Sequence, residues 1–254
     1  MTKLILCGCG GKMGQAILRA AQGSNQFQIV AGVDINASAI APAHHFPVME
    51  AISLFPGKAD VIVDFSHHTA LPALLAYAKA TKTPLVIATT GHTEEEKAQM
   101  QEAAKEVPLF FSGNMSIGIN LLIELCSVAS QTLGEGFDIE IIEKHHNQKL
   151  DAPSGTALMI ADALSDERTD TEYVYDRHVT RKARESREIG IHSVRGGTIV
   201  GEHQVLFAGN NEMISLTHTA TSREIFANGA LRAAVYMVDK APGLYNMSDL
   251  INGR

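Results

Sequence analysis

The chain has 254 residues, 45% of them hydrophobic and 19% charged, with a formal net charge of −7. That length buries a sizeable core and leaves room for two domains, and the acidic balance argues against a nucleic-acid partner, which needs a basic surface. No apolar run approaches the ~20 residues of a membrane span, so no membrane partner is expected.

The short apolar stretch in MTKLILCGCGG runs straight into a glycine turn, so it reads as a first strand rather than a signal peptide. Residues 12–21 then have helical spacing, and 27–34 is a second strand ending on an acid. DVIVDF at 60–65 is a near-continuous apolar strand, followed by a helix over 68–80. PLVIA at 84–88, a helix over 93–105 and a strand over 107–111 complete the first part. Strands that are apolar throughout and alternate with helices predict a parallel sheet covered on both faces, a Rossmann-like doubly wound α/β fold.

Beyond Asn114 the pattern changes. Helices are predicted over 116–130 and 154–164, with a strand over 137–143 between them. Strand-like runs follow at 188–194, 198–208 and 212–219, and a long amphipathic helix at 222–238. The basic stretch DRHVTRKARESR at 176–187 lies inside a charged region, 166–187, that reads as a long solvated loop. The expected organisation is a dinucleotide-binding domain over 1–115 and 222–254, and an α+β domain with a mixed sheet over 116–221. An open sheet leaves edges and a bare face, which a second subunit commonly covers.

Three cysteines, Cys7, Cys9 and Cys126, make no disulfide framework and no metal set. Cys7 and Cys9 would point the same way on a strand. Small buried thiols in a reducing cytoplasm are the expectation.

The first turn reads GCGGKMG over 8–14: Gly8, Cys9, Gly10, Gly11, Lys12, Met13, Gly14. The third glycine of a GxGxxG fingerprint would fall on Met13, so the spacing is better read as GxxGxxG on Gly8, Gly11 and Gly14. Small residues let the backbone approach a pyrophosphate, which sits on the following helix N-terminus. Asp34, at the end of the second strand, can accept from the ribose hydroxyls. Ile35 and Asn36 follow, with no arginine for a 2′-phosphate, so NADH is favoured over NADPH. A glycine turn alone also occurs in nucleotide-free α/β folds. Two further segments follow later strands, where ligands of such sheets bind: Ala88, Thr89, Thr90 and Gly91, and Ser112, Gly113, Asn114 and Met115.

Residues 143–157 read EKHHNQKLDAPSGTA. Adjacent strand residues point to opposite faces, so one of His145 and His146 would face a given pocket. Lys149, near a histidine and a helix start, sits in a positive field that suits it to give a proton. Ser154 is a candidate N-cap, and the first N–H groups of the helix, at Gly155 and Thr156, are expected to face a site where a carboxylate binds well. The pairs His44-His45 and His67-His68 lack the lysine and the Ser-Gly-Thr turn, so a histidine pair alone carries little.

This run resembles the signature of the 4-hydroxy-tetrahydrodipicolinate reductase (dihydrodipicolinate reductase) family. GCGGKMG, RGGTIVGEH at 195–203 and TSREIFANG at 221–229 are similar to other segments of that family, so the resemblance covers nearly the whole chain. It implies reduction of a cyclic dicarboxylate by NADH or NADPH in lysine biosynthesis. His145 would be the proton donor/acceptor and Lys149 a proton donor. His146, Ser154, Gly155 and Thr156 would bind substrate, and 88–90 and 112–115 would line the nicotinamide half of the cofactor. It also implies a homotetramer formed through the second domain's sheet. Two such domains are expected to hinge shut and exclude water from the hydride. The residues alone leave two alternatives: another NAD-linked dehydrogenase of the same architecture, and a nucleotide sensor without activity. The intact His145, Lys149 and Gly155 speak against the sensor.

Overall fold

The computed structural model describes residues 1–179 and 181–253; Thr180, within the basic stretch, and Arg254 lie outside the described residues. The chain begins β1 (Thr2–Cys7), α1 (Lys12–Gln22), β2 (Phe27–Val33), α2 (Ala37–Ile40), β3 (Val48–Met49) and β4 (Val61–Asp64). It continues α3 (Leu71–Thr81), β5 (Leu85–Ile87), α4 (Glu94–Ala103), β6 (Pro108–Phe111), α5 (Ile117–Leu133) and β7 (Asp138–His145). Next come α6 (Gly155–Asp166), β8 (Glu172–Val174), β9 (Glu188–Arg195), β10 (Gly201–Gly209) and β11 (Glu212–Ala220). It ends α7 (Glu224–Met237), β12 (Gly243–Tyr245) and α8 (Met247–Asn252). Two compact units result, Met1–Ile117 with Glu224–Arg254, and Gly118–Arg223.

The first unit is a seven-stranded parallel sheet in the order β12-β6-β5-β4-β1-β2-β3. Its strands have no polar face because both faces are buried. Leu4, Leu6, Val61, Val63, Val86 and Phe110 feed one layer, with α1, α7 and α8. Their neighbours Ile5, Ile62, Leu85, Ile87 and Leu109 feed the other, with α3 and α4. The order reverses between β1 and β4, which opens a crevice at the carboxyl ends of the strands.

Cys7 and Cys9 do not share a face. β1 ends at Cys7, and the chain turns at Gly8, whose φ is +74°. Cys7 therefore joins the α3/α4 layer and Cys9 the α1/α7 layer. All three thiols are buried and unpaired, and burial pushes Cys9 up to about 11 and Cys126 to about 12.

The second unit is a mixed five-stranded sheet, β11-β10-β7-β9-β8, in which β7, β8 and β9 are parallel and β10 is antiparallel to both its neighbours. β7 alternates strictly between buried and half-buried residues, and β10 does so from Gly201 to Ala208. Ile139, Ile141, Val205, Phe207, Ile189 and Ile191 form the covered face, under Leu122 and Cys126 of α5 and Ile160, Ala161 and Leu164 of α6.

The charged 166–187 region is not a plain solvated loop. It contains the edge strand β8, too short to show a period. Arg177 and Arg184 then reach the carboxylate of Glu140 at 2.9 and 3.0 Å, which His192 also meets at 2.7 Å. Burial pushes Glu140 up, but these donors outweigh it and hold the carboxyl low. The expectation about apolar runs also needs correcting. α5 and the 3-10 turn that continues it to Gly136 are long and apolar enough to cross a membrane, by length and composition alone. Glu124 is the one charged residue of α5, while Leu122 and Cys126 pack in the sheet's core.

α7 packs on α1, β4, β5 and β6. Gly229 lets it approach: a Cβ there would run into the backbone carbonyl of Met115. Gly229→Ala should therefore lower stability by about 1–3 kcal/mol through overpacking, whereas Gly136→Ala, with open space around it, should change it by less than about 0.5 kcal/mol. Chemical denaturation of the two variants checks this.

Candidate active site

The glycine turn is shaped by contact with backbone. A Cβ on Gly8 would lie 2.5 Å from the carbonyl oxygen of Phe65, and one on Gly14 would strike the carbonyl of Gly8. Gly11 is the N-cap of α1, and no side chain caps it. The helix start is therefore left to an anion. The N–H of Gly10 donates to Asp34 at 2.9 Å, and Asn36 donates to the same carboxylate at 3.0 Å. Gly8, Gly10, Gly11 and Asp34 line a cleft of approximately 490 Å³, together with Ile35, Asn36, Ile40, Ser53, Ser66 and His67. A turn with no room for side chains, an uncapped helix start and an acid beside it fit a dinucleotide.

Of the remaining turn residues, Lys12 is exposed, Met13 is half-buried and Cys9 packs in the core. The loops after β4, β5 and β6 are tied internally. Thr89 and Ser66 donate to buried Asp64 at 2.7 and 2.5 Å. Burial is the larger influence on Asp64 and raises its pKa. Ser112 donates to the carbonyl of Asn114, and Met115 is buried against α7. Ala88 and Thr89 are buried, whereas Thr90 and Gly113 are exposed.

In the second unit, the covered sheet face turns from apolar to polar at the carboxyl end of β7. The register sets Glu143 between His203 of β10 and Ser193 of β9, and His145 beside Arg195. Glu143 is fully buried. Arg195 grips it through both terminal nitrogens, at 2.7 and 2.8 Å. His145 Nδ1 meets it at 2.5 Å and the N–H of Ser154 donates to it at 3.2 Å. Burial pushes the Glu143 carboxyl up, but the bonds from Arg195, Ser193 and His145 outweigh it and hold it at about 2.

β7 ends at His145, so the pair does not continue as strand: His145 is buried and His146 lies half-buried beyond it. The His145 ring meets His203 edge to face at 5.2 Å. A Cβ on Gly201 would lie 3.1 Å from His145 Nε2, so the glycine leaves that nitrogen room. Burial lowers the pKa of His145, with Glu143 opposing and Lys149 and Arg195 assisting.

Ser154 caps α6, accepting from the N–H of Ala157 at 3.2 Å, and its hydroxyl meets His203 at 3.0 Å. Lys149 pairs with Asp151 at 2.9 Å. Lys149 is the largest cause holding the Asp151 carboxyl low, and the N–H of Gly155 also contributes. A carboxylate thus already rests against the lysine. Gly155 is open on its Cα side, and Thr156 is half-buried. Arg223 reaches His146 at 3.4 Å. Arg195 is taken up by Glu143 and by the carbonyl of Asp151.

Comparison with known proteins now adds to this geometry. The family model for the N-terminus of dihydrodipicolinate reductase matches residues 2–115, and that for its C-terminus matches 118–251. The chain belongs to the dihydrodipicolinate reductase family. It is 52% identical to a 4-hydroxy-tetrahydrodipicolinate reductase of Caldanaerobacter subterraneus, over 99% of this chain and 98% of the relative. A relative of the same name from Clostridium novyi is 48% identical over the full length of both. A dipicolinate-bound dihydrodipicolinate reductase from Paenisporosarcina superposes with a TM-score of 0.82 at 28% identity, covering 97% of each chain. Membership makes this chain an NAD(P)H-using oxidoreductase.

Sequence reasoning passed over Glu143, His203 and His67. Glu143 was legible, two residues before His145 and so on the same strand face. His203 needs the β7–β10 register, which no local pattern reveals.

Burial first, and then His145, lower His203 from 6.5 to about 4. The unfolded chain binds this proton at higher pH than the folded one. Stability should therefore fall as pH drops from about 6.5 to about 4 and then level off, as far as His203 is concerned. Urea midpoints across that window should show a shallower fall in His203→Gln.

Proposed function

We propose that this chain reduces 4-hydroxy-tetrahydrodipicolinate to tetrahydrodipicolinate and water, in the diaminopimelate route to lysine. One observation carries the substrate class: the Lys149 ammonium already pairs with a carboxylate, that of Asp151, at 2.9 Å, four residues before the start of α6. The first turn of α6 is built for such a group, and the substrate is a small dicarboxylate. When bound, the reduced nicotinamide supplies a hydride. The glycine turn and the start of α1 would hold the dinucleotide's phosphates, Asp34 would accept from its ribose hydroxyls, and residues 88–90 and 112–115 would line its nicotinamide half.

Hydride arrival builds negative charge on the conjugated ring, so a proton must follow. His145 is the proton donor/acceptor and Lys149 a proton donor. His146, Ser154, Gly155 and Thr156 bind substrate, and Arg223 beside His146 supports the same end. Asp34 repels a 2′-phosphate and exposed Ile35 offers it no cation, which favours NADH over NADPH. The half-exposed face of the second sheet beyond Glu140, with Lys144, Glu202, Gln204 and Leu206, supports a homotetramer assembled through it. The unpaired thiols support a cytoplasmic setting.

NADH oxidation followed at 340 nm, with substrate made in situ from pyruvate and aspartate semialdehyde by a separate synthase, tests the reading. Turnover should depend on both proteins, with NADH giving the higher kcat/KM. Ile35→Arg should move the preference toward NADPH. His145→Gln and Lys149→Ala should each lower kcat by about 10²–10⁴-fold and leave NADH affinity unchanged. Near-native turnover in both variants would sink the assigned roles.

A further inference from the structure

We propose that Glu143 is a positioning residue for the reduction: held rigid by Arg195 and the Ser154 N–H, it takes the Nδ1–H of His145 and so presents Nε2 as the nitrogen that exchanges the proton. The inference rests on the proton role of His145 given above.

Four features of the geometry carry it. Glu143 is fully buried, so no water competes for its oxygens. Oε2 meets His145 Nδ1 at 2.5 Å and also accepts from Arg195 at 2.8 Å. Oε1 accepts from Arg195 at 2.7 Å and from Ser154 at 3.2 Å. A carboxylate gripped at both oxygens cannot swing, so the ring that donates to it cannot swing either. Finally, Gly201 keeps the far side of the ring clear at Nε2. A buried carboxylate on one imidazole nitrogen selects the tautomer and leaves the other nitrogen for the reaction.

Arg195 has a second consequence. Glu143 alone would put a bare negative charge against the histidine and favour a permanent imidazolium. With Arg195 bound in bidentate fashion, that charge is shared. The groups facing His145 are Glu143 on its own strand, Arg195 on β9, His203 on β10 and Lys149 in the following loop. Glu143 is the one acid among them. Its removal leaves two cations, which disfavour protonation of His145.

The test is Glu143→Gln in the full-length protein, with steady-state kinetics across pH and NADH affinity by fluorescence. Expected are a fall in kcat of about 10²-fold or more, unchanged NADH affinity, and displacement of the His145-governed limb of the pH profile to lower pH. Glu143→Asp should recover part of kcat. In a His145→Gln background, adding E143Q should cost nothing more. A folded E143Q with native kcat and an unmoved pH limb would overturn the proposal, as would effects of E143Q and H145Q that multiply independently. Should E143Q fail to fold, imidazole 15N spectra of the unmutated protein decide: a neutral His145 protonated at Nδ1 supports the proposal, and one protonated at Nε2 overturns it. Native turnover in H145Q alone would instead sink the proton role of His145, an outcome the tautomer measurement does not depend on.

Discussion

A carboxylate cut off from water must be neutralised by hydrogen bonds where it sits, and the second unit is organised around one. Glu143 occupies a face that is apolar one and two rows away, at Ile141 and Ile139. Its charge would be intolerable there without donors. Those donors are Arg195 from β9, His145 from β7 and the backbone of Ser154 at the entry to α6. The carboxylate thereby fixes three segments against one another: the end of β7, the end of β9 and the start of α6. The residues proposed above for proton transfer and substrate binding lie on or between the end of β7 and the start of α6.

The first unit meets a different constraint, the approach of backbone to backbone. At Gly8, Gly14 and Gly229 there is no room for a Cβ. The first two shape the turn, and no side chain caps the α1 start. The third brings α7, from the far end of the chain, onto the parallel sheet beside α1. Local charge clusters follow the logic of Glu143 with less burial: Glu140 lies under Arg177, Arg184 and His192.

The parallel sheet was legible because its strands are short, wholly apolar and separated by helices. So were the glycine turn, Asp34 and the 143–157 run, since each depends on neighbours in sequence. Length hid β3, β8 and β12, for two or three residues cannot show a period. The arginines of 176–187 read as a solvated loop because nothing local indicates that Glu140 lies across the sheet from them.

By itself the sequence determined which residues could carry chemistry: two histidines, a lysine and a capped helix start within fifteen positions, and a glycine turn followed by an acid. Only the tertiary structure decided how they are paired. Strand register set His203 and Ser193 beside Glu143, and Arg195 beside His145. It committed Arg195 to Glu143 rather than leaving it free for substrate, and it separated Cys7 from Cys9 into opposite layers. The physical reason is that burial and hydrogen-bond partners are supplied by strands 50 or so residues away, and a local pattern fixes which face a side chain takes but not what it meets there.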